Sequence, residues 1–235
     1  MAEWAPKRFW QKTEIDTVEG GWTVTLDGRG VKTPAKTPLR VPTEALARAI
    51  AAEWQAQEDK VNPATMPFTR TANSALDKVA TQHSEVAEML AAYGDSDLLC
   101  YRADSPEALV ERQANAWDPM LDWAETALGV RLQPRVGVIH APQDAEALNV
   151  LSGQVKALDP FELAAFHDLV SLTGSLVLGF AAAHAHRPAA EIWLLSRIDE
   201  MWQEEQWGAD DEATALASYK KDEFLHAAEF FRLAR

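Results

Sequence analysis

The sequence predicts an α+β fold, with a small β-rich N-terminal domain over residues 1–66 and a larger all-α domain over residues 67–235. Three observations carry this expectation. In "GGWTVTLDGRGVKTPAKTPL" (residues 20–39), Trp22, Val24 and Leu26 alternate with Thr23 and Thr25, the two-residue period of a half-buried strand. From Thr43 the period changes: Leu46, Ala47, Ile50 and Trp54 recur at three and four, the spacing of an amphipathic helix. Beyond the Pro-containing stretch "VNPATMPFTR" (residues 61–70), every extended segment reads as helix.

In chain order, "KRFWQKTEIDTVE" supplies one strand and the Trp22–Leu26 run a second. Asp27-Gly28 is a hairpin-turn signal, because both residues tolerate positive φ, and Val31 and Thr33 return on the paired strand. Thr43 caps the first helix. Residues 70–93 carry Ala72, Leu76, Val79, Val86, Leu90 and Tyr93 and stop at Gly94. The next helix opens with a Ser105 cap and Pro106 and ends at Gly129, with a kink or break expected at Pro119. "VRLQPRVGVIHAP" is irregular with room for one short strand. "DPFELAAFHDLVSL" starts a further helix, and "TGSLVLGFAAAHAH" is apolar on nearly all sides, the mark of a central buried helix. A single helix is expected from Pro188 to Gly208, and Asp210 or Asp211 caps the last one.

Composition narrows the class of function. A chain of 235 residues with a formal charge of −14 repels phosphate backbones, so nucleic acid and anionic membrane are disfavoured as partners. The longest apolar run, "SLVLGFAAA", is too short to span a bilayer. One cysteine, Cys100, rules out an intramolecular disulfide and Cys-rich metal sites. The N-terminus has neither the apolar core of a secretory signal nor the character of a transit peptide, so a cytoplasmic protein is expected, and a matrix protein with its presequence removed would read the same. Nine tryptophans are many for this length. Trp is favoured both in cores and at protein–protein hot spots.

The motifs that tempt a catalytic reading fail on spacing. "DGRGVKT" lacks the G-x-x-x-x-G-K-[ST] frame of a phosphate loop. His184 and His186 stand two apart on a helix and point about 200° apart, so they cannot share one ion. His167 and Asp168 are adjacent and do not face each other. "TGSLVLG" is not a nucleophile elbow, and Cys100 sits among apolar neighbours. No cofactor and no metal is expected.

"DEMWQEEQWGADDEA" (residues 199–213) holds seven carboxylates and two tryptophans. On one helix over residues 191–207, Leu194, Leu195, Ile198, Met201 and Trp202 fall within about 120° and form a core stripe. Trp193, Glu200 and Trp207 are spaced by seven, drift only about 20° per step, and form a second stripe flanked by Gln203 and Glu204. Two rings around a carboxylate need a cover, either another helix of the chain or a partner protein. An acid/base pair is the weaker reading, since Asp199 and Glu200 diverge and one helix cannot place two carboxylates across a cleft. At the end of the first helix, Trp54 continues the core stripe, with Glu53 and Gln57 one turn apart beside it.

An ordered set of segments then resembles a known family. "KRFW" (residues 7–10), "LDGRGVKTP" (26–34), "AAEWQAQ" (51–57), "MPFTRTANSALD" (66–77), "DLLCYRADSPEALVERQANAWDPMLDW" (97–123), "TGSLVLGFA" (173–181) and "DEMWQEEQWGADDEA" are similar to the assembly chaperones of the F1 sector of ATP synthase. The resemblance implies a small N-terminal β domain, a helical C-terminal domain, no enzymatic activity, and binding of the unassembled alpha subunit. It implies a bacterial member acting in the cytoplasm, the eukaryotic relatives being proteins of the mitochondrial matrix. On that footing the partner-binding residues are expected to be Trp193, Glu200, Gln203, Glu204 and Trp207, the acidic turn Asp210–Glu212, and Glu53 with Trp54 as a second patch. The alternatives are a hydrolase with carboxylates on the helical domain, or an adaptor for another client.

Overall fold

The computed structural model describes residues 7–235, so the reading of the first six residues lies outside it. Among the described residues six strands and ten α-helices follow one another: β1 (Thr13–Val18), β2 (Gly21–Leu26), β3 (Arg29–Gly30), β4 (Arg40–Val41), α1 (Glu44–Gln55), α2 (Pro67–Asp77), α3 (His83–Ala91), β5 (Tyr101–Arg102), α4 (Glu107–Leu128), β6 (Arg135–Val136), α5 (Ala145–Lys156), α6 (Pro160–Thr173), α7 (Leu176–Ala183), α8 (Ala189–Leu195), α9 (Ile198–Trp207) and α10 (Asp211–Ala234). A small strand-rich part precedes a large helical part, as the α+β reading has it. The chain forms two compact units. One is Met1–His83 with Asp159–Ala165 and Glu229–Arg235; the other is Ser84–Leu158 with Phe166–Ala228.

In the first unit β2 is the central strand. It pairs antiparallel with β1 along its full length, and its other edge is shared by β3 at Thr25–Leu26 and β4 at Trp22–Thr23. The hairpin turn is where the Asp-Gly signal puts it, with φ of 48° at Asp27 and 77° at Gly28. The Asp27 carboxylate accepts from the backbone N–H of Gln11 and Lys12 and ties the preceding strand to the turn. The expected alternation along β2 holds only in part: Thr25 is buried beside Val24 and Leu26. Helix α1 packs on β1 and β2 through Leu46, Ala47 and Ile50, and Thr43 caps it by accepting from the Leu46 N–H. The Thr43 hydroxyl in turn donates to the carbonyl of Leu233.

The division at residues 66 and 67 is not where the compact units part. Helix α2 belongs to the first unit, and Glu53 of α1 explains why. Met66 offers no capping side chain, so the Glu53 carboxylate accepts from the N–H groups of Phe68 (2.6 Å) and Thr69 (2.8 Å) and from the Thr69 hydroxyl (2.7 Å). The unit is completed by two later segments. Phe68 stacks on Phe230 at 6.3 Å, and Arg235 pairs with Glu162. The same Glu162 closes a capping box with Asp159 at the start of α6.

The run expected as one helix over residues 70–93 is divided, α2 of the first unit being followed by a short 3-10 turn at Val79–Thr81 before α3 begins. In the second unit helix α4 runs unbroken through Pro119, so of the kink or break expected there the break does not occur. Both Pro119 and Asn115, whose carbonyl loses its partner, are exposed, so the lost bond falls on the solvent side of the helix. The residue before α4 is Pro106 and makes no side-chain cap, so Ser105 does not play that part. Asp144 caps α5, a helix not singled out in the sequence. Helix α7 is buried along nearly its whole length. Gly179 lets it approach α6, since a Cβ there would lie 2.6 Å from Val170 Cγ2.

Asp97 organises the start of α7. It is fully buried and accepts from the Ser175 hydroxyl (2.7 Å), the Val177 N–H (3.0 Å) and the Leu99 N–H (3.0 Å). Burial pushes its carboxyl up to about 6, against the pull of these donors. An acid raised from 3.8 in this way binds its proton more tightly when folded, so its contribution to stability is complete below about pH 4 and is lost as pH rises through 6. At 1.36 kcal/mol per unit this amounts to about 3 kcal/mol. Unfolding free energies of wild type and Asp97→Asn at pH 4 and pH 7 check it. The advantage of wild type over the variant should shrink by about this amount between the two, and a difference independent of pH would show that Asp97 titrates normally.

Candidate functional site

The expected Pro188–Gly208 helix is two helices. Helix α8 ends at Leu195, the Ser196 hydroxyl donates back to the Trp193 carbonyl (2.7 Å), and α9 begins at Ile198. The indole N–H of Trp117 in α4 donates to the Leu195 carbonyl at 2.8 Å, taking a bond that a continuing helix would have used. With the helix broken, spacings counted across it lose their meaning. Trp193 is a correction to the expected partner-binding set: it is 4% exposed and packs against Phe224 at 5.8 Å. The core stripe is corrected as well. Leu194 is exposed, and no residue of α9 is fully buried.

The carboxylates of α9 serve mostly to hold it in place. Asp199 accepts from the Gln113 amide at 2.6 Å, and Gln113 is buried and also receives the Ala103 N–H. Arg112 of α4 grips Glu205 with two bonds of 2.9 Å while its guanidinium lies 5.2 Å from the Trp202 ring. Arg197 binds Glu200 at 2.9 Å and Glu204 at 3.6 Å. Asp210 caps α10 by accepting from the Ala213 N–H, and Glu212 is exposed in the first turn.

Trp207, the last residue of α9, remains open at 79% exposure. It stands between two grooves and lines both, as does Gln203. One, of about 570 Å³, lies toward α4 and the segment after β6, with Tyr101, Leu109 and Val138 among its walls. The other, of about 370 Å³, lies toward α10, with Glu200, Glu204, Asp210 and Leu216. The structure therefore brings Glu200, Gln203, Glu204, Trp207 and Asp210 around one ridge, places Glu212 in the helix turn that follows Asp210, and removes Trp193. Val138, Ile139, Leu216 and Tyr219 are exposed apolar residues absent from the sequence-based set. The signal for two of them was the apolar run Val136–Ile139, held between Pro134 and Pro142 with no helical period to bury it.

Glu53 and Trp54 belong to the other unit. Glu53 spends both oxygens on the start of α2, and burial raises its carboxyl above the usual range. Trp54 is half-buried, edge-on to Trp10 at 5.3 Å, and its N–H has no hydrogen-bond partner. The remaining motifs resolve as follows. Cys100 is buried and its thiol is pushed up to about 12, first by burial and then by Asp97. His167 and Asp168, expected to diverge, meet at 2.8 Å, and that bond raises the imidazole. His184 and His186 both pack on Trp123, because positive φ at Ala185 turns the chain between them. Among the described residues no group of three His, Cys, Asp or Glu is placed to hold a metal, and no helix is long and apolar enough to cross a membrane.

Trp207 thus stands exposed between two grooves, and comparison with known proteins puts the chain among chaperones. The family model of the ATP12 chaperone protein matches residues 7–125, and the chain belongs to that family. It is similar to Atp12 from Paracoccus denitrificans, with 52% identity, a TM-score of 0.95, and coverage of 97% of this chain and 98% of that one. The Atu1473 protein of Agrobacterium tumefaciens is 43% identical, with a TM-score of 0.89 over 96% of this chain and 85% of that one. Protein atp12, mitochondrial, of Schizosaccharomyces pombe is 28% identical over 223 residues, which are 88% of this chain and 75% of that protein.

The split of α8 from α9 predicts opposite outcomes for two tryptophans of one motif. Trp193→Ala should cost about 3–5 kcal/mol, as loss of a buried indole does. Trp207→Ala should leave stability within about 0.5 kcal/mol, as an exposed site does. Denaturant unfolding of the two variants checks this, and equal losses would mean that α8 and α9 are one helix after all.

Proposed function

We propose that this chain binds the unassembled alpha subunit of the F1 sector of ATP synthase and keeps its interface surfaces from associating before assembly. The observation that carries this reading is Trp207, exposed on a ridge between two grooves, in a chain that belongs to a chaperone family. An unassembled subunit exposes apolar interface that is prone to association. A large exposed indole rimmed by Glu200, Gln203 and Glu204 is suited to receive it, since Trp is the residue most enriched at hot spots. The surplus of carboxylates would speed encounter with basic surface and make it salt-sensitive. The reading sets this activity in the bacterial cytoplasm, in keeping with the likeness to a Paracoccus protein. A hydrolytic reading is less well supported, because Gln113, Arg112 and Arg197 already hold the carboxylates of α9.

Light scattering by isolated alpha subunit tests the proposal. Near one-to-one, without nucleotide or metal, the chain should suppress aggregation, and Trp207→Ala should do so less well at the same concentration. Scattering that is unchanged by the wild-type chain would overturn the reading.

A further inference from the structure

Residues 133–143 form a loop with a fastened base and an unburied tip. Gln133 and Gln143 exchange bonds of 2.8 and 2.9 Å across its neck, with Gln143 itself buried. The Gln143 N–H donates to Asp95 (2.7 Å), Arg135 donates to the Pro142 carbonyl (2.9 Å), and the Gly137 N–H donates to the Arg102 carbonyl (2.8 Å). His140 meets Tyr101 at 3.2 Å and Asp95 at 3.3 Å. This base holds the tip out in solvent, with Val138 at 91% and Ile139 at 84% exposure. Two adjacent β-branched apolar side chains held in water by so many bonds stabilise nothing within the chain. Exposed apolar residues on a braced loop are the ordinary form of a contact surface.

Val138 and Trp207 line the same groove. The groove they share and its neighbour across Trp207 are lined by five carboxylates, Asp104, Asp199, Glu200, Glu204 and Asp210, against three cations. Two of those cations are already engaged, Arg102 by Asp118 and Arg197 by Glu200. A second copy of this chain, carrying the same charge of −14, is repelled from such a surface. An apolar segment with Lys or Arg beside its anchors is attracted to it.

We propose that Val138, with Ile139 beside it at the loop tip, and Trp207 flank one docking groove, and that its occupant is an apolar segment of the client flanked by basic residues. This rests on the alpha-subunit reading above and specifies which kind of segment is held. The tip grips the segment opposite Trp207, and the carboxylates orient it by its flanking charges.

Binding of purified alpha subunit to the full chain tests both parts. The double variant Val138→Ser/Ile139→Ser should keep its thermal midpoint and bind about tenfold or more weakly, as loss of a hot-spot contact does. Asp104→Lys should slow association, and by less at high salt. A photo-crosslinking residue at position 138 should capture an alpha-subunit peptide that contains apolar residues and Lys or Arg. Failure of the wild-type chain to bind alpha subunit would overturn the reading beneath this proposal. Wild-type binding with no loss in the double variant would overturn the proposal itself, as would capture of a second copy or of an acidic segment. An association rate that Asp104→Lys leaves unchanged would remove the basic flank from it.

Discussion

The helical part of this protein turns on one hydrogen bond, from the indole N–H of Trp117 to the carbonyl of Leu195. Both partners are buried, and Trp117 lies at the centre of α4. The bond ends α8 by satisfying a carbonyl that no longer has a helical donor. The exposure of Trp207 on the candidate surface follows from that ending. Before the break α8 buries Ile192, Trp193 and Leu195; after it α9 buries no residue fully. Without the break Trp193 and Trp207 would share a face. With it, one becomes core and the other stands in solvent.

A helix without a buried face needs other means of attachment, and its acids provide them. Arg112 and Gln113, neighbours on α4, reach Glu205 and Asp199 at opposite ends of α9. Arg197 holds the first turn to the second. Exposed ion pairs contribute little singly, often under about 1 kcal/mol. The bidentate geometry of Arg112, its contact with the Trp202 ring and the burial of Gln113 make this set stronger than a count of salt bridges suggests. The acidic run is therefore at once an anchor and a source of negative field, and on the proposed reading the same residues that fix the ridge also draw a basic client toward it.

Local signals were legible in the sequence wherever the physics is local. Asp27-Gly28 specifies a turn with two positive φ angles, Thr43 caps the first helix, and Gly208 and Asp210 separate the last two; each acts within a few residues. The family was legible from its ordered segments. Features that depend on distant contacts were not. Nothing around Ser196 signals a helix end, since the bond that ends α8 comes from a residue 78 positions away. Glu53 read as a polar edge because its partners at Phe68 and Thr69 lie beyond a proline loop. Pro119 read as a break because solvent exposure of Asn115, which makes the lost bond tolerable, is a tertiary property. The candidate surface was half legible: its acids and Trp207 stand out in the sequence, while Val138 and Ile139 belong to it only through the fold of the 133–143 loop.

On the proposed reading, the proportions of that surface bear on how a bound client would be released. Its apolar content is small, a few side chains set apart on rigid supports, and its polar groups are mostly engaged with one another before any client arrives. Affinity then depends on a handful of contacts, which set the dissociation rate, while the surrounding charge sets the association rate. Such a surface can capture an exposed interface quickly and yield it to a partner that buries far more area. A continuous apolar face, which an unbroken α8–α9 helix with both tryptophans aligned would have offered, would bind more tightly and release more slowly. The break at Ser196 therefore does more than rearrange tryptophans. By burying one of them it limits how firmly the other can hold.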